Sequence, residues 1–252
     1  MNRYLIPFPA AGGRYPVIIG MIQSILYQIK TIDPDAKIHA SGVSSGAVCA
    51  IMLIIGLFKG LNIDDMHKEF IKIMRNKKVD FFDGIELLIR RYVTNKDVKH
   101  IVNKRVHIGY CRLCAENGLE FIVVSEFKDV NDLVGAFRAS AHYPLLLREE
   151  MYYEYRGDKC VDGVFIHESI LLPGYRNIKI GSSVFDKTLS TDRALDASKE
   201  KYKRLFKLGR CHQQATDIEW CIVETSPIST NCSVSTVWTV FCFGVSLFMS
   251  YY

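Results

Sequence analysis

The order of apolar segments in the first sixty residues most constrains how this 252-residue chain can fold. Residues 3–8 and 36–41 are short apolar runs typical of strands, the first interrupted by Pro7. Each is followed by a longer segment with apolar residues at helical spacing, over 14–30 and 44–58. A strand, helix, strand, helix order predicts parallel strands joined by right-handed crossovers, so we expect an α/β fold.

The rest of the chain continues this pattern. Further strands are predicted over 105–111, 119–127 and 176–183. Two more short strands are predicted on either side of a hairpin turn at "RGD". Further helices are predicted over 62–78, from 84 onward, over 129–143 and over 191–209. No internal repeat or low-complexity linker divides the chain. We expect one domain over 1–224 and a hydrophobic tail over 225–252.

Charge and cysteine usage indicate the environment. The formal net charge of +5, without a dense Lys/Arg stripe, favours a membrane surface over nucleic acid as the anionic partner. Eight scattered cysteines and the lack of an N-terminal signal peptide predict a reducing, cytosol-facing compartment. Cys111 and Cys114 have metal-ligand spacing, but no second pair completes a zinc site, so we expect two half-buried thiols, no metal and no cofactor.

The tail differs from the remainder in having no charged residue over 225–252. Its last part has about the length of a bilayer-spanning helix, which predicts a C-terminal membrane anchor and a membrane-associated protein. A β-rich core segment and an interfacial segment are the alternatives. The basic segment 198–210 could rest on anionic lipid or form a solvated helix face.

The motif Gly42-Val43-Ser44-Ser45-Gly46 follows a predicted strand and opens a predicted helix, the context that a G-x-S-x-G nucleophile elbow needs. On so sharp a turn, Gly42 and Gly46 remove Cβ atoms that would collide with the neighbouring strand and helix. The Ser44 hydroxyl would then project over a helix N-terminus, which favours developing negative charge. The motif predicts that Ser44 is a nucleophile.

A serine nucleophile needs a base and an oxyanion hole. The glycine turn "PAAGGRYP" at 9–16 could supply backbone N–H groups, or it could be a tight turn or a phosphate cradle. Two histidines, His142 and His167, are candidate bases without a distinguishing context. Asp162 and Asp83 each precede a glycine that could turn the carboxylate toward a hydroxyl, and local chemistry does not separate them.

The combined order of "PAAGGRYP", "ASGVSSGAV", "ASAHYP" and "CVDGV" resembles the patatin-like phospholipases, over roughly residues 4–215. The resemblance implies a three-layer α/β/α fold with a central, mostly parallel sheet. It also implies a Ser-Asp dyad that hydrolyses phospholipid or acylglycerol esters through an acyl-enzyme. The "ASAHYP" segment upstream selects Asp162 over Asp83 as the general base of Ser44. The implied oxyanion loop comprises Ala11, Gly12, Gly13 and Arg14, the last bracing the loop or the lipid phosphate.

The chain departs from the family pattern in the oxyanion loop, where Ala10 and Ala11 stand at positions usually occupied by glycine, and after Asp162, where His167 lies near a common asparagine. One alternative is therefore a catalytically inactive lipid-binding or tail-anchored module. Another is an α/β-hydrolase with a Ser-Asp-His triad, for which His212 is the late histidine.

Overall fold

Strands and helices alternate through the first 59 residues of the computed structural model, and further helical segments separate α2 from β3. The structure describes residues 2–11, 15–77, 79–114, 118–144, 150–167, 169–179, 204, 207 and 219–222. The strands are β1 Arg3–Phe8, β2 Lys37–Val43, β3 Val106–Cys114, β4 Gly118–Val124, β5 Tyr153–Tyr155, β6 Asp158–Asp162, β7 Arg176–Lys179 and β8 Glu219–Ile222. The helices are α1 Tyr15–Ile32, α2 Ser45–Lys59, α3 Ile63–Lys77, α4 Phe81–Tyr92, the single turn α5 Asn95–Asp97 and α6 Val130–Ser140. A π-helical turn, Val98–Val102, continues α5, and a 3₁₀ turn, Gly163–Phe165, follows β6.

The strands form one mixed sheet with a parallel centre. Strands β7, β1, β2 and β3 are parallel neighbours in that order, whereas β8 joins β7, and β4 and β6 join β3, in antiparallel pairs. Because β5 is antiparallel to β6, it runs in the direction of the central strands. The chain is therefore an α/β protein with a central, mostly parallel sheet flanked by helices, and the expected fold class is confirmed.

The main core lies between one face of this sheet and the helices. Successive strands β1, β2 and β3 advance across the sheet in one direction, so right-handed connections place α1 and α2 on the same face. Residues 45–56 of α2 are all buried, as the apolar character of this segment predicts. A smaller cluster on the opposite face includes Val43, Cys111, Phe121, Val161 and Ile170.

Two strands meet end to end on one edge of β3. Strand β4 pairs with β3 from Ile108 to Cys114, so β2 and β6 share the other edge. There β2 ends with Val43 opposite Gly109, and β6 ends with Asp162 opposite Tyr110. Because Gly109 and Tyr110 are consecutive, the pairing register alone brings the carboxyl ends of β2 and β6 together.

Several local predictions are corrected. Strand β1 continues through Pro7, because β7 pairs only with Tyr4 and Leu5 and leaves one edge of β1 without a described strand partner at the proline. Helix α4 begins at Phe81, capped by the Asp80 side chain, so the "DG" at 83–84 lies in its first turn rather than before the helix. The helical turns over 95–102 and strand β8 were not predicted from sequence.

The "RGD" hairpin is confirmed, because Arg156 and Gly157 have φ values of 51° and 83°, as a two-residue turn between twisted strands requires. The predicted helix over 191–209 lies outside the described residues, apart from Arg204 and Lys207, which are helical. The tail over 225–252 also lies outside them. None of the described helices combines the length and the hydropathy needed to cross a bilayer.

Candidate active site

Ser44 occupies the sharp turn between β2 and α2. Its backbone has φ 55° and ψ −129°, a conformation that non-glycine residues adopt at a cost of about 1–3 kcal/mol. Ser44 is also the one residue from 40 to 56 that is not buried. The turn therefore presents this side chain at the surface of an otherwise buried strand and helix.

The flanking glycines stand where no side chain fits. A Cβ atom on Gly42 would lie 2.5 Å from the backbone nitrogen of Ala47, and one on Gly46 would lie 2.7 Å from the carbonyl oxygen of Pro9. Both obstacles are backbone atoms, which cannot rotate away. The glycines thus let β2, α2 and the end of β1 approach one another around Ser44.

The Ser44 side chain lies close enough to the Asp162 carboxyl to lower its pKa. Asp162 is only 2% exposed, its Oδ1 accepts the N–H of Val164 at 2.9 Å, and its own N–H is donated to the carbonyl oxygen of His142 at 2.8 Å. Burial raises the pKa of this carboxyl to about 7, although the Val164 N–H and the Ser44 side chain favour the charged form. A carboxyl that titrates near neutral pH can both accept and return a proton.

Ser140 supports the turn from α6, a role that sequence reasoning missed. Its buried hydroxyl accepts the Ser44 N–H at 2.8 Å and donates to the carbonyl oxygen of Gly109 at 2.5 Å. One hydroxyl thus ties the elbow to β3. The signal in the sequence was the "ASAHYP" segment, which was used only as a mark of resemblance.

We expect Ser140→Ala to destabilise the fold by about 2–4 kcal/mol, because the partly buried Ser44 N–H and the buried Gly109 carbonyl would each lose a partner. Urea denaturation measures this change. Ser125→Ala, at a half-buried serine near the end of β4, is the matched control and should change stability by less than about 0.5 kcal/mol. Equal losses in the two variants would contradict the supporting role of Ser140.

The start of the predicted oxyanion loop packs against the elbow. The Ala11 N–H donates to Ser45 Oγ at 3.0 Å, and Ser45 is buried at the first position of α2. The amide hydrogen of Ala11 is thus already used in this structure, and a role as an oxyanion donor would require it to leave Ser45. Three residues of the loop, Gly12, Gly13 and Arg14, lie outside the described residues.

The side chains of the other described candidate bases contact groups other than Ser44. Asp83 accepts a hydrogen bond from Arg138 at 2.6 Å, and its side chain is 41% exposed on α4. The His142 ring bonds the carbonyl oxygen of Glu150 at 3.0 Å, and the His167 ring packs edge-on against Phe121. His212 lies outside the described residues.

Cys111 and Cys114 do not converge on a common point. They are three positions apart on β3, so their side chains leave opposite faces of the strand. Cys111 Sγ lies 3.7 Å from the Gly163 carbonyl oxygen, whereas Cys114 Sγ lies 3.6 Å from Glu120 Oε2. No group of three or more potential metal ligands occurs within the described ranges.

Comparison with known proteins yields distant structural likenesses. No protein-family model matches the chain, and no curated protein matches it significantly. VipD from Legionella pneumophila is similar over 69% of this chain, with 12% identity and a TM-score of 0.40. The ExoU–SpcU complex from the type III secretion system of Pseudomonas aeruginosa is similar over 99%, with 11% identity and a TM-score of 0.38. The chain spans 47% of the VipD chain and 60% of the other chain.

Proposed function

We propose that this protein is a serine hydrolase of lipid acyl esters in which Ser44 is the nucleophile and Asp162 its general base. The observation that carries the proposal is the approach of the half-exposed Ser44 side chain, held on a strained elbow, to the buried Asp162 carboxyl. This approach follows from the pairing of the ends of β2 and β6 with consecutive residues of β3. Burial excludes water from the carboxyl and raises its pKa toward neutrality, which makes it a stronger proton acceptor than an exposed aspartate.

The reaction proceeds in two half-reactions. Ionised Asp162 accepts the Ser44 proton as Oγ attacks the ester carbonyl, forming a C–O bond and a tetrahedral oxyanion. The ester C–O bond then breaks, Asp162 returns the proton to the leaving alcohol, and an acyl-enzyme remains. Water, deprotonated by Asp162, attacks the acyl carbonyl, and the fatty acid leaves as the proton returns to Ser44 Oγ.

The oxyanion would form beside the positive end of α2. That helix starts at Ser45 and has no acidic residue in its first turn, so nothing there opposes its dipole. Backbone N–H groups of the 9–14 loop would add donors, each worth about 3 kcal/mol when aimed at the oxyanion. Arg14 would brace this loop or bind a lipid phosphate.

Fatty-acyl esters of phospholipids or acylglycerols are the proposed substrates. The support is the resemblance to the patatin-like phospholipases of four segments in their order along the chain, "PAAGGRYP", "GVSSG", "ASAHYP" and "CVDG". Association with a cytosol-facing membrane surface, with 225–252 as an anchor, belongs to the same proposal. No nucleic acid, metal or cofactor enters the scheme.

A catalytically inactive lipid-binding module of the same fold is the second candidate. The contact between the Ala11 N–H and Ser45 Oγ favours it, because a donor held within the protein does not stabilise an oxyanion. The two candidates differ in whether Ser44 is chemically activated.

Labelling by a fluorophosphonate, which reacts only with an activated serine, tests the proposal. We expect the labelling rate to rise with pH through an inflection near 7, because only the ionised form of Asp162 accepts the Ser44 proton and its pKa is raised to about 7. Intact-mass measurement at several pH values gives the rate. Ser44→Ala should remove the label and Ser125→Ala should retain it. A wild-type chain that stays unlabelled at every pH would favour the inactive module.

A further inference from the structure

A large cleft lies at the end of the sheet opposite Ser44. Its volume is about 1250 Å³, and its lining includes the first residues of β1 and β2 and the segment that leads into β3. Strand β2 separates the two places, since His39 lines the cleft and Ser44 follows the other end of the strand. At about 3.3 Å per residue, these two residues lie about 16 Å apart along β2.

The cleft is strongly basic. Two carboxylates, Asp35 and Glu126, line it together with six cationic side chains, Arg3, Lys30, Lys37, Lys99, Lys104 and Arg105. Lys104 lies 3.7 Å from Glu126, but within the described ranges Arg3, Lys37 and Lys99 form no ion pair. Like charges in one concave site repel each other and raise the local concentration of anions.

Three imidazoles and a phenol line the same cleft, those of His39, His100, His107 and Tyr175. The rings of His39 and His107 stack with centroids 6.1 Å apart, and Tyr175 meets His39 edge-on at 4.9 Å. The Nε2 atom of His107 is buried and has no hydrogen-bond partner in the described part of the chain. A buried polar atom without a partner costs about 1–3 kcal/mol.

The cations converge on this ring pair. Burial lowers the pKa of His39, and the charges of Arg105, Arg3 and Lys37 lower it further. These three side chains would attract an anion, and they also disfavour the protonated form of the His39 imidazole. An anion bound among them would offset their repulsion of that protonated form.

We propose that this cleft is a second binding site, which takes a ligand bearing several phosphate groups. Phosphate oxygens accept hydrogen bonds and carry charge, which suits the guanidinium of Arg3 and the ammonium groups of Lys37 and Lys99. The volume exceeds that of one inorganic phosphate, which points to a polyphosphorylated molecule or to clustered phospholipid head groups. The site is distinct from Ser44 and stands independently of the proposed hydrolysis.

Two experiments test the site. The first measures binding of inositol hexakisphosphate by titration calorimetry, and the second measures flotation with phosphatidylcholine vesicles that contain or lack phosphatidic acid. We expect Lys37→Glu and Lys99→Glu each to weaken binding of the responding probe about tenfold, because each reverses a charge in the cleft. Lys72→Glu makes the same charge change on an exposed position of α3 and should leave affinity within about twofold.

The site is supported if either probe binds and Lys37→Glu weakens that binding while Lys72→Glu does not. The probe that binds shows whether the phosphate groups belong to a soluble molecule or to a lipid. Absence of binding to both probes overturns the proposal, as does equal weakening by Lys37→Glu and Lys72→Glu. Fluorophosphonate labelling of Lys37→Glu should match the wild type, which separates failure here from failure of the proposed hydrolysis.

Discussion

Asp162→Asn is expected to reduce acyl release from phospholipid vesicles by about 10²–10⁴-fold, the usual contribution of a positioned general base. Asparagine has the size of aspartate, and its Oδ1 can still accept the Val164 N–H, so the loop should stay in place. The amide cannot take the Ser44 proton at any pH. Mass spectrometry of released fatty acid at saturating substrate measures the loss in kcat.

The same variant should be more stable than the wild type above pH 7. The folded-state pKa of Asp162 lies near 7 and the unfolded value near 3.8, so the wild type loses stability as pH rises between these values. A difference of about three pKa units corresponds to about 4 kcal/mol, and the neutral asparagine avoids that loss. Urea denaturation at pH 5 and pH 8 should show the advantage growing with pH.

Asp83→Asn provides the matched control, because Asp83 also precedes a glycine but is exposed and paired with Arg138. It should leave acyl release within about twofold and should not alter the pH dependence of stability around pH 7. Full activity in Asp162→Asn, or equal losses in the two variants, would remove Asp162 from the mechanism.

Replacing Ser44 by alanine or by glycine should abolish the acyl-enzyme in both cases, because neither side chain carries a nucleophile. The two variants should differ in stability. At φ 55° and ψ −129° alanine keeps the strain of the elbow, whereas glycine adopts this backbone without a steric penalty. We expect Ser44→Gly to be more stable than Ser44→Ala by about 1 kcal/mol, measured by urea denaturation.

This order is the reverse of the usual one, since glycine ordinarily lowers stability relative to alanine through the entropy of the unfolded chain. Ser41→Gly and Ser41→Ala form the control pair on β2, where the backbone is extended and alanine should be the more stable. If Ser44→Gly were the less stable variant at position 44, the elbow would not store strain, and that argument for an activated serine would fail.

The fold was predictable where local pattern determines structure. The strand and helix order of the first sixty residues, the buried character of α2 and the turn at Ser44 follow from apolar spacing and glycine placement. Asp83 and Asp162 show the limit, since both stand before glycine. Their local chemistry does not distinguish them. The tertiary structure does, through the α4 helix that holds Asp83 beside Arg138 and the β3 edge that brings Asp162 to β2.

The basic cleft could not be predicted from the sequence for a related reason. Its cations are scattered along the sequence at positions 3, 30, 37, 99, 104 and 105, and no more than two of them are adjacent. The partners of Ser140 were not predictable from local pattern, because they lie 96 and 31 residues away along the chain. Contacts between such distant positions depend on the sheet order, which local periodicity does not specify.

Because β2 and β6 meet end to end, the length of the 153–162 hairpin determines where the Asp162 carboxylate lies relative to Ser44. Side chains alternate between the two faces of a strand, so one inserted residue ahead of Asp162 that shifted β6 along β3 would turn the carboxylate to the opposite face. Activity should therefore tolerate many substitutions in this hairpin but no change of an odd number of residues. Among natural variants that retain activity, insertions of an odd number of residues should be excluded from this segment even though its tip is exposed at Arg156 and Gly157.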